Sequence, residues 1–467
     1  MTIDLKTPIP KAVLVGVQLP GQTQQELESS LSELTRLVTT LGYQVIGQVS
    51  QKRSSSMGAT LLGDGKLKEL ASWTGGTGQV AAMVEVKKNK ATLRREAEEA
   101  KALEDQEDPE IEIEEEEVEV DDSPKERAQV VIVDCELSPS QLRNLESATG
   151  VTVLDRTGVI IEIFSRHART KAARLQVEIA RLTYVAPRLR ETGGGGDRQG
   201  GGVGGKGAGE TSLELDKRQI RDRIKELKQE LASIGQEHQV RRARREQEIS
   251  VALVGYTNAG KSSLMRAMTG SEVLVADKLF ATLDTTVRPI YPETRPKVLL
   301  SDTVGFIKKL PHDLVASFKS TLDEALNASL LLFVVDASDP SFRSQLEVTK
   351  KVLGEVGATD VPSLLVLNKR DRLQEVDLAN LKSEFPNAIF ISTRNKDDLK
   401  MLRDQIMSHF ESDMIDEELF VPYTAQGVIG EVRSRMRVLG ESYSGDGVTL
   451  KVRGSPETLA FIRKKLH

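Results

Sequence analysis

Cysteine is nearly absent from this sequence, which has a single one, Cys135, among 467 residues. One cysteine excludes a disulfide within the chain and a zinc site built from several thiolates, and it agrees with a reducing, cytoplasmic location. Because Cys135 follows the apolar run at 130–133, we expect a thiol packed in the core rather than a nucleophile.

Long apolar runs and targeting signals are missing as well. A membrane-spanning helix needs about 20 predominantly apolar residues, and no stretch approaches that length. The amino terminus has no charged region followed by a long apolar one, and it is not rich in serine and arginine. We therefore expect a soluble protein with no membrane partner.

Basic residues are absent from one segment. Residues 104–122 contain 13 acidic side chains and no lysine or arginine, although the whole chain has a net charge of only −6. Without this block the rest carries +7, a balance that is compatible with an anionic partner larger than a nucleotide. Such blocks are typical of disorder, so we interpret 91–125 as an insert. It is either a solvated surface insertion or a regulatory segment that mimics nucleic acid.

The remaining sequence alternates strand-like and helix-like patterns. The first 86 residues have the order β-α-β-α-β, and strands resume at 129–134 and 151–155, which favours a parallel sheet. Residues 193–209 are dense in glycine, as in a flexible linker or a loop that follows RNA.

A heptad-like apolar stripe follows at 213–234 and is interrupted at Gly235. It fits two helices folded back as a hairpin, or one long helix. An arginine cluster at 241–245 is the best local candidate for contact with a polyanion.

Length predicts roughly three domains. We predict an N-terminal α/β domain, a glycine-rich loop, a helical hairpin, a doubly wound P-loop NTPase domain of the Ras-like type, and a small α+β domain. Their boundaries are 1–192, 193–209, 210–247, 248–411 and 412–467.

The most informative stretch is GYTNAGKS, which comprises Gly255, Tyr256, Thr257, Asn258, Ala259, Gly260, Lys261 and Ser262. It follows an apolar run at 249–254 and opens a helical segment, which is the context of a phosphate-binding P-loop rather than of a chance glycine turn. Its amides would face phosphate oxygens, Lys261 would reach the β- and γ-phosphates, and Ser262 would ligate a magnesium ion.

Three later stretches identify the base and the reaction. Asp302 ends a strand, where it can bind in the coordination shell of the magnesium ion. The Gly305 amide can approach the γ-phosphate. Asp371 can accept both N–H donors of guanine, a pair that adenine lacks. Asn368 at the end of a strand would tie this loop to the P-loop, and backbone amides at 392–394 can face the guanine carbonyl oxygen. The nucleotide-binding residues predicted here are Asp302, Thr303, Val304, Gly305, Asn368, Lys369, Arg370, Asp371, Ser392, Thr393 and Arg394. Their order and spacing predict a GTPase rather than an ATP-specific enzyme.

A switch segment is expected between the P-loop helix and Asp302. It comprises Phe280, Ala281, Thr282, Leu283 and Asp284, followed by two threonines. We choose Thr286 as the ligand of magnesium and the γ-phosphate, with Thr285 as its rival. The predicted catalytic residues are thus Lys261, Thr286 and Gly305, and the predicted metal ligands are Ser262, Thr286 and Asp302.

Phe306 occupies the position where Ras-like enzymes commonly have a glutamine that orients the attacking water. A phenyl ring cannot do so. We therefore hypothesise that unassisted hydrolysis is slow and that a partner, a potassium ion or a repositioned side chain supplies the missing stabilisation.

The sequence resembles the HflX family of translation-factor-like GTPases over nearly its whole length. Beyond the nucleotide-binding stretches, the resemblance is carried by 137–146 (LSPSQLRNLE), 154–157 (LDRT), 204–210 (GGKGAGE), 280–284 (FATLD) and 310–314 (LPHDL). The chain departs from the family pattern at Thr285, Lys206, Ala208, Thr393 and Arg394, and in its acidic insert.

The resemblance implies a GTPase that binds the large ribosomal subunit and its ribosomal RNA in the GTP form. It further implies that hydrolysis is stimulated there and that stalled or stressed ribosomes are split or rescued. Alternatives are a GTP-dependent factor for ribosome biogenesis or RNA remodelling, and a signalling GTPase with a protein effector. We also expect a monomer that depends on magnesium.

Overall fold

The computed structural model describes the chain in segments, and every structural statement below concerns these: 9–56, 58–80, 126–189, 212–243, 249–270, 280, 286–309, 324–412 and 414–466. The acidic insert, the glycine-rich loop, residues 281–285 and 310–314, and most of a strand expected at 79–86 lie outside them. The chain divides into two compact units, Met1–Val159 and Ile160–His467.

The first unit has a four-stranded parallel sheet. Strands β1 (Lys11–Gln18), β2 (Gln44–Lys52), β3 (Val130–Val133) and β4 (Thr152–Asp155) lie in the order β2-β1-β3-β4. Helices α1 (Gln24–Thr40), α2 (Asp64–Thr74) and α3 (Pro139–Thr149) connect them. The predicted start of α3 is confirmed, because the Ser138 side chain caps it and Pro139 is its first residue.

A buried ion cluster lies at one end of this sheet, at the LDRT stretch (154–157) that carries part of the family resemblance. Arg156 is 2% exposed; its Nη1 donates to Asp134 Oδ1 at 2.6 Å and its Nη2 to Glu33 Oε2 at 2.7 Å. Removing one member of the cluster would leave an uncompensated buried charge. Arg156 in this stretch therefore has a structural role.

The next helices are α4 (Arg156–His167), α5 (Lys171–Val185) and α6 (Ser212–Ala243). The helical hairpin that we predicted within 210–247 is wrong, because α6 runs without a break through Gly235. A glycine costs a helix only about 1 kcal/mol relative to alanine, which is too little to end one held by packing. The helix that α6 packs against is α5, around Leu175, Ile179 and Leu227.

The nucleotide-binding domain has a six-stranded sheet in the order β10-β9-β8-β5-β7-β6. Its strands are β5 (Ile249–Val254), β6 (Thr286–Pro289), β7 (Val298–Asp302), β8 (Leu330–Asp336), β9 (Ser363–Asn368) and β10 (Ile389–Phe390), and only β6 is antiparallel. The helices within its described residues are α7 (Lys261–Thr269), α8 (Phe342–Val356), α9 (Glu375–Glu384) and α10 (Lys396–Glu411). This confirms the predicted doubly wound domain, in which ligands bind at the carboxyl ends of the strands.

The carboxyl-terminal segment is a small α+β fold, as predicted. Strands β11 (Ile415–Pro422), β12 (Arg437–Tyr443) and β13 (Gly447–Gly454) form an antiparallel sheet in the order β11-β13-β12. Helices α11 (Gln426–Arg435) and α12 (Pro456–Leu466) pack on one face of it. Among the helices described anywhere in the chain, none is long and apolar enough to cross a membrane.

Candidate functional site

The P-loop leaves the end of β5 through a glycine that no other residue could replace without strain. Gly255 has φ +153°, and a Cβ there would lie 2.2 Å from the carbonyl oxygen of Val334. Gly260 has φ +96°, and its Cβ would lie 2.3 Å from Asn368 Nδ2. The two glycines that define the loop are thus fixed by neighbouring strands as well as by the turn itself.

Lys261 begins α7 and points back into the loop. Its Nζ donates to the carbonyl oxygens of Gly255 and Tyr256, both at 2.9 Å, and the residue is only 6% exposed. Burial lowers the pKa of Lys261 to about 8, while the Asp302 carboxylate acts in the opposite direction. The ammonium group is therefore held inside the P-loop by two backbone carbonyl oxygens, where it can neutralise phosphate oxygens.

Two oxygen ligands suited to magnesium lie beside the loop. Ser262 Oγ donates to Asp302 Oδ2 at 2.7 Å, and Asp302 is fully buried at the end of β7. Thr286 opens β6 directly opposite Asp302 in the ladder, so their side chains share one face of the sheet. Within the described segments no three His, Cys, Asp or Glu residues form a metal site of their own. That donor set fits Mg²⁺, which binds one or two protein oxygens together with substrate phosphates.

The segment after Asp302 is hydrogen-bonded to the P-loop. The Thr257 amide donates to the Phe306 carbonyl oxygen at 2.8 Å, and the Phe306 amide donates to that of Gly255 at 3.2 Å. The Lys308 amide donates to the Tyr256 hydroxyl at 2.6 Å. A Cβ on Gly305 would lie 2.9 Å from Thr257 Cα, so this position also needs glycine. The Phe306 ring is 2% exposed and is therefore packed away from solvent.

Asn368 and Lys369 join the end of β9 to the P-loop. Asn368 Nδ2 donates to the Ala259 carbonyl oxygen at 2.9 Å, the link that the sequence predicted. Lys369, at φ +62°, donates from Nζ to the Asn258 carbonyl oxygen at 2.8 Å and pairs with Asp336 at 2.7 Å. Both residues therefore fix the position of the loop that carries Asp371 relative to the P-loop.

Asp371 faces a cleft with its carboxylate already oriented. The Ser392 hydroxyl donates to Asp371 Oδ1 at 2.6 Å, and this hydrogen bond lowers the pKa of Asp371. The carboxylate therefore stays an acceptor at neutral pH, as recognition of the guanine N–H pair requires. The cleft, of about 470 Å³, is lined by Arg370, Asp371, Leu378, Ser392, Arg394, Asn395 and Lys396.

Sequence reasoning missed three residues that hold the site together. Asp336 binds Lys369, Asp398 binds Ser392 and Arg370, and Phe164 packs edge-to-face on Phe280 with ring centroids 4.6 Å apart. Asp336 could have been found, because it is an acid at the carboxyl end of a buried strand beside β5. The other two lie on helices, where nothing in the local pattern distinguishes them.

Three family descriptions match successive parts of the chain. "GTP-binding GTPase N-terminal" matches residues 28–93 and 95–165, "GTP-binding GTPase Middle Region" matches 167–245, and "50S ribosome-binding GTPase" matches 250–369. Together they cover most of the sequence, including the P-loop and the Asn368–Lys369 pair.

Similar proteins extend over the full length. A protein named GTPase HflX from Gluconacetobacter diazotrophicus is 56% identical over 464 residues, 99% of each chain. Another of that name, from Caldanaerobacter subterraneus subsp. tengcongensis, is 37% identical and covers 94% of this chain and 90% of its own. The crystal structure of a GTP-binding protein from Sulfolobus solfataricus in complex with GDP is 23% identical and covers 85% of this chain and 98% of its own, with a TM-score of 0.40.

Proposed function

The chain belongs to the HflX family of GTPases, and from this premise we propose that it binds the large ribosomal subunit in its GTP form. Hydrolysis of GTP to GDP and phosphate is the family's reaction; the ribosomal target is the proposal. In it, the GTP-bound protein splits or rescues stalled or stressed ribosomes in the cytoplasm and acts as a monomer.

The observation that carries the proposal is the match of residues 250–369 to the family described as a 50S ribosome-binding GTPase. Charge supports it, because the chain outside 104–122 carries +7 and ribosomal RNA is a polyanion. The arginines at 241–245, which lie at or beyond the end of α6, are our candidates for contact with that RNA.

Each nucleotide contact in the proposal is made by a group already described. Asp371 accepts the N–H pair of guanine, and the backbone amide of Thr393 faces its carbonyl oxygen. The amides of Ser392 and Arg394, which we also predicted for this role, donate instead to Asp398 Oδ2 and Ser392 Oγ. The amides of the P-loop and the Lys261 ammonium group bind the β- and γ-phosphates. The buried Lys261 acts in a site of low dielectric, where its charge stabilises phosphate oxygens more strongly than it would in water.

The metal site and the switch segment complete the proposal. Ser262, Thr286 and Asp302 would hold Mg²⁺, and the bound ion would supply positive charge that stabilises the phosphate oxygens. Gly305 presents its amide to the γ-phosphate, since a side chain at that position would collide with Thr257. The Phe306 ring is buried and has no hydrogen-bonding group, so it does not orient water. Hydrolysis is therefore slow in the isolated protein, and the ribosome supplies the missing stabilisation.

Sedimentation with ribosomes tests the proposal. Purified 50S and 30S subunits and 70S ribosomes are each mixed with the protein and a non-hydrolysable GTP analogue, GDP or an ATP analogue at two salt concentrations. We expect pelleting with 50S subunits that is strongest with the GTP analogue, and conversion of 70S into subunits on a sucrose gradient. The Asp371→Ala variant, which loses guanine recognition, should lose the nucleotide dependence.

Other outcomes select the alternatives. If pelleting does not depend on the nucleotide, and protein-free ribosomal RNA binds the chain equally well, RNA remodelling is favoured. Binding confined to precursor particles would favour biogenesis. Absence of any GTP-favoured pelleting with the 50S subunit would overturn the proposal and leave a GTPase whose effector is a protein.

A further inference from the structure

Asp398 is a buried carboxylate shared by two loops. It lies in the first turn of α10, outside every nucleotide-binding stretch, and is 4% exposed. Its Oδ2 accepts the backbone N–H of Ser392 at 2.7 Å, and its Oδ1 pairs with Arg370 Nη2 at 2.7 Å. Each oxygen therefore binds a different loop.

Those two loops carry the contacts proposed for guanine. Arg370 directly precedes Asp371, and the Ser392 hydroxyl donates to Asp371 Oδ1 at 2.6 Å. The Arg370 amide also donates to the Ile391 carbonyl oxygen at 3.1 Å. Together these contacts form a closed ring that runs from Asp371 through Ser392 and Asp398 to Arg370 and back along the chain to Asp371.

We propose that Asp398 is a positioning residue for guanine specificity, which fixes the Asp371 carboxylate through Ser392 on one side and Arg370 on the other. This inference rests on the proposed role of Asp371. A carboxylate that holds both loops sets the distance between the Asp371 oxygens, which accept the guanine N–H groups, and the Thr393 amide, which faces the guanine carbonyl oxygen. Guanine then binds to groups that are already held in position, so little conformational freedom of these two loops is lost on binding.

An acid in the first turn of a helix also stabilises the helix through its dipole. Asp397 occupies the adjacent position in the same turn but is exposed. It offers a control that removes an equal charge from the same helix end and leaves both loops untouched.

Asparagine is the informative replacement. The carboxylate accepts two donors, one on each oxygen, whereas an amide has one oxygen and one NH₂ group. In Asp398→Asn, either the Ser392 N–H or the Arg370 guanidinium group therefore faces another donor. The loss of a buried, charge-assisted hydrogen bond should weaken guanine nucleotide binding by about tenfold.

The experiment compares Asp398→Asn, Asp397→Asn and the unmodified protein with GDP and IDP. Hypoxanthine lacks the exocyclic amine, so the ratio of the two Kd values reports the second hydrogen bond to Asp371. We expect Asp398→Asn to raise the Kd for GDP about tenfold and to lower the preference for GDP over IDP several-fold. In steady state, KM for GTP should rise while kcat changes by less than about twofold. Asp397→Asn should match the unmodified protein.

Three results separate the possibilities. If Asp398→Asn weakens GDP and IDP equally, Asp398 has a structural role only and the inference fails. If Asp371→Asn leaves the preference unchanged, the base site itself is wrong and the proposed function fails with it. If Asp371→Asn changes the preference and Asp398→Asn does not, only the role of Asp398 is refuted. Should Asp398→Asn not fold, Arg370→Gln removes the other partner at a more exposed position and must shift the same ratio.

Discussion

The Lys261 ammonium group is the part of the site most sensitive to pH. Burial lowers its pKa from 10.5 to about 8, so the lysine of the nucleotide-free protein loses its proton as the pH rises through that value. Phosphate oxygens favour the charged form, so nucleotide binding must raise this pKa. We therefore predict proton uptake when GDP binds at pH 8.5, little uptake at pH 7, and a Kd that rises with pH above about 8.

Calorimetry in buffers of different ionisation enthalpy measures that uptake directly. In the Lys261→Arg variant the guanidinium group stays charged throughout this range, so the dependence on buffer should vanish even if binding is weaker. Equal binding enthalpies in all buffers at pH 8.5 for the unmodified protein would contradict the prediction.

The sequence predicted which residues of the site lie close together only where those residues follow the ends of parallel strands. The end of β9 was expected next to the P-loop, and Asn368 does bind Ala259. The carboxyl ends of parallel strands meet at one edge, so strand order is enough for such a prediction. Asp398 could not be predicted, because its role depends on how the first turn of α10 is oriented toward Arg370. That orientation is set by tertiary packing and leaves no local signal.

At the scale of elements, α6 shows how packing overrides a local signal. Gly235 suggested a break, yet the helix continues because its apolar residues find a partner in α5. Strand β11, which the predicted α+β domain did not specify, shows the opposite case. Its three consecutive acids at 416–418 resemble a loop, whereas in the structure Glu417 and Glu418 pair with Val452 and Lys451 of β13. Only two of its residues, Leu419 and Val421, are fully buried.

Leu227 is the centre of the contact between α5 and α6. It is fully buried against Leu175 and Ile179, while Leu215 on the same helix is 45% exposed. We predict that Leu227→Ala destabilises this helix pair by about 2–5 kcal/mol, because a cavity remains where the side chain was. Leu215→Ala should cost less than about 0.5 kcal/mol.

Hydrogen exchange at 171–185 and 215–235 measures this local stability. The strands of the nucleotide-binding domain provide an internal reference, since a local effect should leave their protection unchanged. Equal exchange in the two variants would show that the α5–α6 contact does not hold these helices.

At the scale of the whole molecule, similarity extends from end to end, and the relative from Gluconacetobacter covers 99% of this chain. The division at residues 192, 209, 247 and 411 nevertheless stays a prediction. The compact units divide elsewhere, at residue 159, which lies within α4. Composition marks where a chain stops packing a core, whereas contacts mark which helix packs on which neighbour. The two need not coincide.

The acidic block at 104–122 dominates the charge of the molecule. Its 13 carboxylates change the net charge of the chain from +7 to −6. An RNA partner would meet this field before any specific contact forms, and attraction to phosphates depends steeply on salt. We predict that replacing the 13 acids by their amides increases binding to ribosomal RNA several-fold at low salt, and that the gain shrinks as salt rises. The Kd for GDP should not change.

A scrambled block of the same composition separates charge from sequence. If the block acts only through its field, the scrambled chain must bind RNA like the unmodified one at every salt concentration. If the chain with the scrambled block binds RNA more tightly than the unmodified chain, the block makes a sequence-specific contact, as expected for a segment that mimics nucleic acid. If the amide variant binds RNA no better than the unmodified chain, the block is a solvated insertion whose charge is screened before it matters. In that case the +7 remainder would not explain attraction to the ribosome, and the arginines at 241–245 would have to act by local geometry.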